Sequence, residues 1–224
     1  FSVDLIDWDE VNESKYAKGI YRNLDADDLG ELSTDTLLKL EGSGLLGRKM
    51  KKEIRSKIND SIIGGSETEP LFDFSDLYSD VKLDVTFSNE SEKDLRFGLY
   101  VIENLDGAVK DPVTGELITP MTAEYEEAAL DANNIFGDIS TINEDGTRLK
   151  SMTDSYEGEE GKEMFAPFLE DKLTGEVYFA FDVQNAWGEK FFKSFGDGTI
   201  GIKDDKNNDD FDDMIVSLDL RSLI

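Results

Sequence analysis

Apolar and polar residues alternate along most of the second half of this chain, and the alternation predicts strands. LFDFSDL (71–77), KLDVTFSN (82–89) and LRFGLYVIEN (95–104) each repeat with period two. Leu83, Val85 and Phe87 form one face, and Leu95, Phe97, Leu99 and Val101 another. EVYFAFDVQNAW (176–187) continues the pattern with Val177, Phe179, Phe181 and Val183, and TIGIKDD (199–205) and DMIVSLDL (213–220) close it. Residues 1–9 (FSVDLIDWD) read as a further strand with a bulge.

Residues 10–66 differ. Asp35 to Leu40 predict a short helix capped near Ser33 or Thr34 and broken by the Gly-Ser-Gly at 42–44. Leu46, Met50, Ile54 and Ile58 then recur every four residues, one face of a helix that Gly64-Gly65 stops. That helix carries six of the 23 basic residues between Arg48 and Lys57, which the pattern assigns to pairing with acidic neighbours of its own domain. A third helix is expected over 122–136, starting at Thr122, with Glu124, Glu126 and Glu127 near its positive end. Residues 137–163 read as polar loop with short strand potential, and MFAPFLED (164–171) as a short apolar turn. ENLDG (103–107) and NEDG (143–146) carry hairpin-turn chemistry.

Alternating strands imply antiparallel sheets with one wet face. The expected class is therefore all-β, a jelly-roll-like antiparallel β-sandwich with a helical insertion near the N-terminus and one further helix. No repeat or linker divides the chain, so 1–224 reads as one domain, with 10–66 inserted and 82–220 as the core.

Composition narrows the function. The chain has neither Cys nor His, which removes disulfides, thiol nucleophiles, Ser-His-Asp triads and imidazole metal sites. It carries 51 Asp and Glu against 23 Lys and Arg, a net charge of −28, and its pI is near 4.1. Nucleic acid is an unsuitable partner for such a surface. No apolar run is long enough to span a membrane, so no membrane insertion is expected. The first residues lack a signal-peptide layout, and the chain reads as part of a longer multidomain protein. With no phosphate loop and no nucleophile elbow, it is not expected to be an enzyme.

Oxygen donors concentrate in GDGTIGIKDDKNNDDFDD (196–213): Asp197, Asp204, Asp205, Asn207, Asn208, Asp209, Asp210, Asp212 and Asp213, with Lys203 and Lys206 among them. So many carboxylates ahead of a core strand repel one another unless a cation lies among them. Hard oxygen donors at short spacing suit Ca²⁺, although the spacing is not that of an EF-hand. Asp197, Asp204, Asp205, Asn208, Asp210, Asp212 and Asp213 are the candidate metal ligands. Asp182 and Asn185 join them if the strand over 176–187 neighbours the last one. Tyr156, Trp187 and Asp209 are candidate ligand contacts.

The blocks GLYVIENLDGAVKDPVTGELITPMTAEYEEAAL, APFL, VYFAFDVQNAW, FGDGTIGIKD and NDDFDDMIVSLDL, in this order, resemble a family of bacterial domains found near the ends of large calcium-dependent RTX adhesins. Family members carry a Gly-aromatic-Glu-Asp step and an Asp-x-Asp-aromatic-Asn/Asp-Asp ending. Here these read Gly201-Ile202-Lys203-Asp204 and Asn208-Asp209-Asp210-Phe211-Asp212-Asp213. Lys203 stands where the family has Glu, and Asn208 where it has Asp. The resemblance implies a secreted, cell-surface, calcium-bound β-sandwich that binds a protein or peptide C-terminus on a host or neighbouring cell. Carbohydrate binding, or a purely structural calcium-rigidified cap or extender, are the alternatives.

Overall fold

The computed structural model describes residues 29, 32–43, 46–67, 69–75, 81–91, 93–140, 150–156, 164–205 and 209–222. The strand expected over 1–9 and the NEDG turn at 143–146 lie outside these residues.

Two helices come first. α1 (Thr34–Gly42) starts where Ser33 Oγ accepts the Thr36 N–H, and its Leu37, Leu38 and Leu40 are buried. α2 (Arg48–Ile62) buries Ile54, Ile58 and Ile62 along one stripe. Its basic face serves the helix pair, as expected. Arg55 Nη2 lies 2.5 Å from Glu41 Oε1, and Lys51 Nζ donates to the Glu41 carbonyl at 2.7 Å. Gly64 and Gly65 do not follow a frayed end. They lie within β1 (Ile63–Ser66), which begins at once.

One antiparallel sheet has the order β1–β2–β9–β4–β7, where β2 is Glu69–Asp73, β4 Leu95–Ile102, β7 Ile135–Ser140 and β9 Met164–Asp171. β10 (Val177–Phe179) also pairs with β9. The second has the order β11–β12–β13–β3–β8, where β3 is Val81–Asn89, β8 Lys150–Tyr156, β11 Phe192–Gly196, β12 Thr199–Ile202 and β13 Met214–Ser222. A two-strand ribbon, β5 (Val109–Lys110) with β6 (Leu117–Ile118), lies apart from them. Both sheets and both helices contribute to one apolar cluster. The fold is thus an antiparallel β-sandwich with few helices. Among the described residues no helix is long and apolar enough to cross a membrane.

Three segments depart from the periodicity reading. MFAPFLED is not a turn but β9, a central strand buried on both faces. A strand covered on both sides has no polar alternation to betray it. Its Pro167 falls between the residues paired with β2 and those paired with β10, where a missing N–H interrupts least. The strand expected over 176–187 ends at Phe179, and two short 3₁₀ turns follow, Asp182–Gln184 and Ala186–Gly188. Helix 122–136 shrinks to α3 (Tyr125–Ala129), the last two residues of that range begin β7, and 137–140 and 150–156 of the expected loop continue β7 and form β8.

The outer face of β4 is closed by aromatics. Tyr100, Tyr125 and Phe179 meet edge to face at 5.5–6.3 Å. Tyr125 Oη donates to the Gly107 carbonyl at 2.7 Å, so Tyr100 donates to Tyr125 across 3.0 Å. Gly98 allows Phe168 to lie flat against β4, because a Cβ there would overlap the Phe168 ring and reach Gly137 O at 3.0 Å.

β12 is shorter than β13. Leu218 N bonds to Gly198 O at 2.9 Å, and beyond that β12 offers no further partner. Asn59 of α2 fills the next position, with its Oδ1 accepting the Leu220 N–H at 3.3 Å.

Candidate functional site

The acidic segment 196–213 does not converge on one point. Asp197 occupies the tight turn between β11 and β12, in left-handed backbone (φ 50°), beside Gly198 (φ 72°). Its N–H donates to Asp60 Oδ1 of α2 at 2.5 Å. The four extended residues of β12 separate it from Asp204 by about 13 Å at 3.3 Å per residue.

Asp204 and Asp213 do meet, at the entry to β13. The Asp204 N–H donates to Asp213 Oδ2 at 3.0 Å, and the Asp213 carbonyl accepts the Glu90 and Ser91 N–H groups at 2.8 and 3.2 Å. Ser91 Oγ donates to Asp204 Oδ2. Lys93 Nζ donates to the Asp204 carbonyl and stands 3.6 Å from Asp204 Oδ1. Burial pushes the Asp213 carboxyl above its usual range, and the neighbouring Asp204 and Asp212 charges push the same way.

Asp205, Asp209, Asp210 and Asp212 are exposed, and Asn208 lies outside the described residues. Among the described residues no group of three or more Asp or Glu side chains is gathered for a metal ion.

Lys203 sits at the middle of the segment and is almost fully buried, at 2% exposure. Its ammonium is 5.7 Å from the centroids of both Phe191 and Phe211. It lies 3.5 Å from Glu189 Oε2 and 3.8 Å from Asp209 Oδ1. A long stem among aromatics with a paired head is how a lysine tolerates burial. The chain thus supplies two of its own cations, Lys93 and Lys203, to the acidic segment.

Asp182 and Asn185 follow β10, which pairs with β9 and not with β13. Asn185 is committed to the backbone. Its Oδ1 accepts Phe179 N at 2.8 Å, and its Nδ2 donates to Phe179 O and Glu189 O at 2.8 and 2.9 Å. Asp182 N donates to Glu69 Oε1 at 3.3 Å. Burial, then the Asp182 charge, raises the Glu69 carboxyl, while Lys190 opposes. Tyr156 ends β8 opposite Val81. Trp187 is 94% exposed.

The residues that sequence reasoning missed are Ser91 and Lys93, brought from 111 or more positions away, and the buried state of Lys203. Only Lys203 had a visible signal, as one of the two cations, with Lys206, that flank Asp204 and Asp205. No family model, curated protein or solved structure matches this chain.

Proposed function

We propose that this chain is a non-catalytic, calcium-dependent binding module of a secreted surface protein, with the ion held at the entry to β13. The observation that carries the reading is the placement of two acidic residues together there, the Asp213 carboxylate accepting the Asp204 N–H in partly buried surroundings that already raise Asp213. Lys93 brings one positive charge to this point, whereas a divalent ion brings two. The donor set fits calcium in its chemistry, being hard carboxylate and amide oxygen with no thiolate or imidazole in the chain. Asp204, Asp205, Asn208, Asp210, Asp212 and Asp213 would hold the ion. Asp197 sits in the β11–β12 turn, Asp182 beside Glu69, and the Asn185 side chain on the backbone of Phe179 and Glu189, so these three are left out of the set.

An ion held by protein on one side offers concentrated positive charge on the other, which lets so acidic a surface accept an anionic group. The ligand we assign is a peptide C-terminal carboxylate on a neighbouring cell surface, in keeping with the resemblance to adhesin domains.

The test is thermal unfolding in EDTA against millimolar calcium. At a calcium concentration of one hundred times Kd the stability gain is about 2.7 kcal/mol. Asp213→Ala and Asp212→Ala abolish the gain. Peptides with free C-termini bind in calcium, and their amidated forms do not. Equal melting temperatures with and without calcium refute the ion. A calcium shift without carboxylate-dependent binding leaves a structural role for it.

A further inference from the structure

The two 3₁₀ turns after β10 carry apolar surface that neither the core nor the acidic segment uses. Trp187 is 94% exposed, Met121 76% and Val183 52%. Trp187 and Met121 are also two of the three non-glycine residues with left-handed backbone among the described residues, at φ 64° and 76°. For a residue with a Cβ this conformation is unfavourable. An indole left in water recovers none of that cost by burial.

The frame that enforces the strain is firm. The buried Asn185 amide holds Phe179 and Glu189 through three hydrogen bonds, and Gly188 N closes the turn on Asn185 O at 3.1 Å. Gln184 Oε1 accepts the Met121 N–H at 2.7 Å, which ties the second strained residue to the same turn. Large apolar side chains presented in strained backbone on a fixed frame mark a contact surface.

Acidic side chains flank it along the chain. Asp182 begins the first turn beside Glu69, and Glu124, Glu126 and Glu127 are exposed within six residues of Met121. Lys190 is the opposing charge next to Glu69.

We propose that this loop cluster docks a cationic peptide segment of a partner protein, with an Arg or Lys head over the Trp187 indole and an apolar side chain against Met121 and Val183. Cation–π attraction and the acidic rim act on the same group. A neutral sugar ring would use the indole alone and gain nothing from the rim. The inference rests on the reading of the chain as a binding module but not on the ion.

The probe is an acetylated, amidated hexapeptide alternating Arg and Leu, titrated into the full chain at 150 mM NaCl by calorimetry, in EDTA and again in calcium. Binding is expected in both. Trp187→Ala weakens it about tenfold, and Trp187→Phe about threefold or less. In a Trp8→Phe background the remaining indole fluorescence shifts on binding. Trp187→Gly loses binding as Trp187→Ala does, without lowering the melting temperature, because glycine relieves the strained φ.

Binding unchanged in Trp187→Ala overturns the proposal, since acidity alone would then draw the peptide. So does no binding by the parent chain, Trp187-dependent binding of neutral oligosaccharides in the peptide's place, or a large drop in melting temperature for Trp187→Gly. The amidated peptide has no terminal carboxylate, and the calcium shift in melting temperature is read separately. The two readings therefore fail independently.

Discussion

Replacing Lys203 tests how the acidic segment is held before any ion arrives. The ammonium faces two rings at 5.7 Å and two carboxylates at 3.5 and 3.8 Å. Asp209 is fully exposed and its pair adds little, and Glu189 is about one-third exposed, so its ion pair is worth no more than about 1 kcal/mol. The two ring contacts add about 0.5–2 kcal/mol. Against these stands the dehydration of the ammonium, which an apolar replacement recovers. Lys203→Met keeps the stem and removes the charge, and it should cost about 1–2 kcal/mol, a fall of roughly 2–8 °C in melting temperature for a chain of this length. Lys203→Ala also opens a cavity and should cost about 2–5 kcal/mol. Lys203→Glu places a buried carboxylate against Glu189 and Asp209, so it should be the least stable of the three in EDTA and gain most from calcium. Denaturation of all four proteins in EDTA, followed by calcium titration, provides the readout. A Met variant as stable as the parent would refute the reasoning, because the stem alone would then account for the burial.

Three further outcomes follow from the geometry. Tyr125→Phe removes the donor to Gly107 and the acceptor for Tyr100, leaving a buried hydroxyl unpartnered, and should cost about 1–3 kcal/mol by urea denaturation. Burial raises both hydroxyls, so the folded state resists their ionisation; stability should fall as pH rises past the unfolded tyrosine value near 10, and absorbance titration should show both ionising only on unfolding. Gly98→Ala drives a methyl group into the Phe168 ring and should cost about 1–3 kcal/mol, measured as melting temperature. The Asp213 carboxyl is raised in the folded state, so its ionisation opposes folding and the loss grows as pH rises from its unfolded value of 3.8 through the folded one. In EDTA, Asp213→Asn should therefore be more stable than the parent at pH 7 and equal to it below pH ~3, as the unfolded and folded groups are both protonated there.

Much of the fold is legible in local pattern. Ser33 and the Leu37, Leu38 and Leu40 stripe mark α1, and the four-residue recurrence marks α2. β4 and β13 announce themselves by alternation. β9 does not, because burial on both faces erases the polar half of its signal. β10 stops at Phe179, whose N–H and C=O the Asn185 side chain takes, and no periodicity encodes that. For the site, the acidic run was legible as charge but not as geometry. Extended β12 carries Asp197 away from Asp204, and Lys93 arrives from the connection between β3 and β4. Pair formation across more than a hundred residues leaves no mark on local composition.

The hydrogen bond from Leu220 N to Asn59 gives the helical segment a protective task. Where β12 runs out, β13 would otherwise present a bare amide row to any passing extended chain, an invitation to edge-to-edge stacking. A side-chain amide set into that gap accepts one bond and extends no ladder. Asn59→Leu, which leaves the helices packed and removes only this acceptor, should gain a sticky margin, and self-association should be its first symptom.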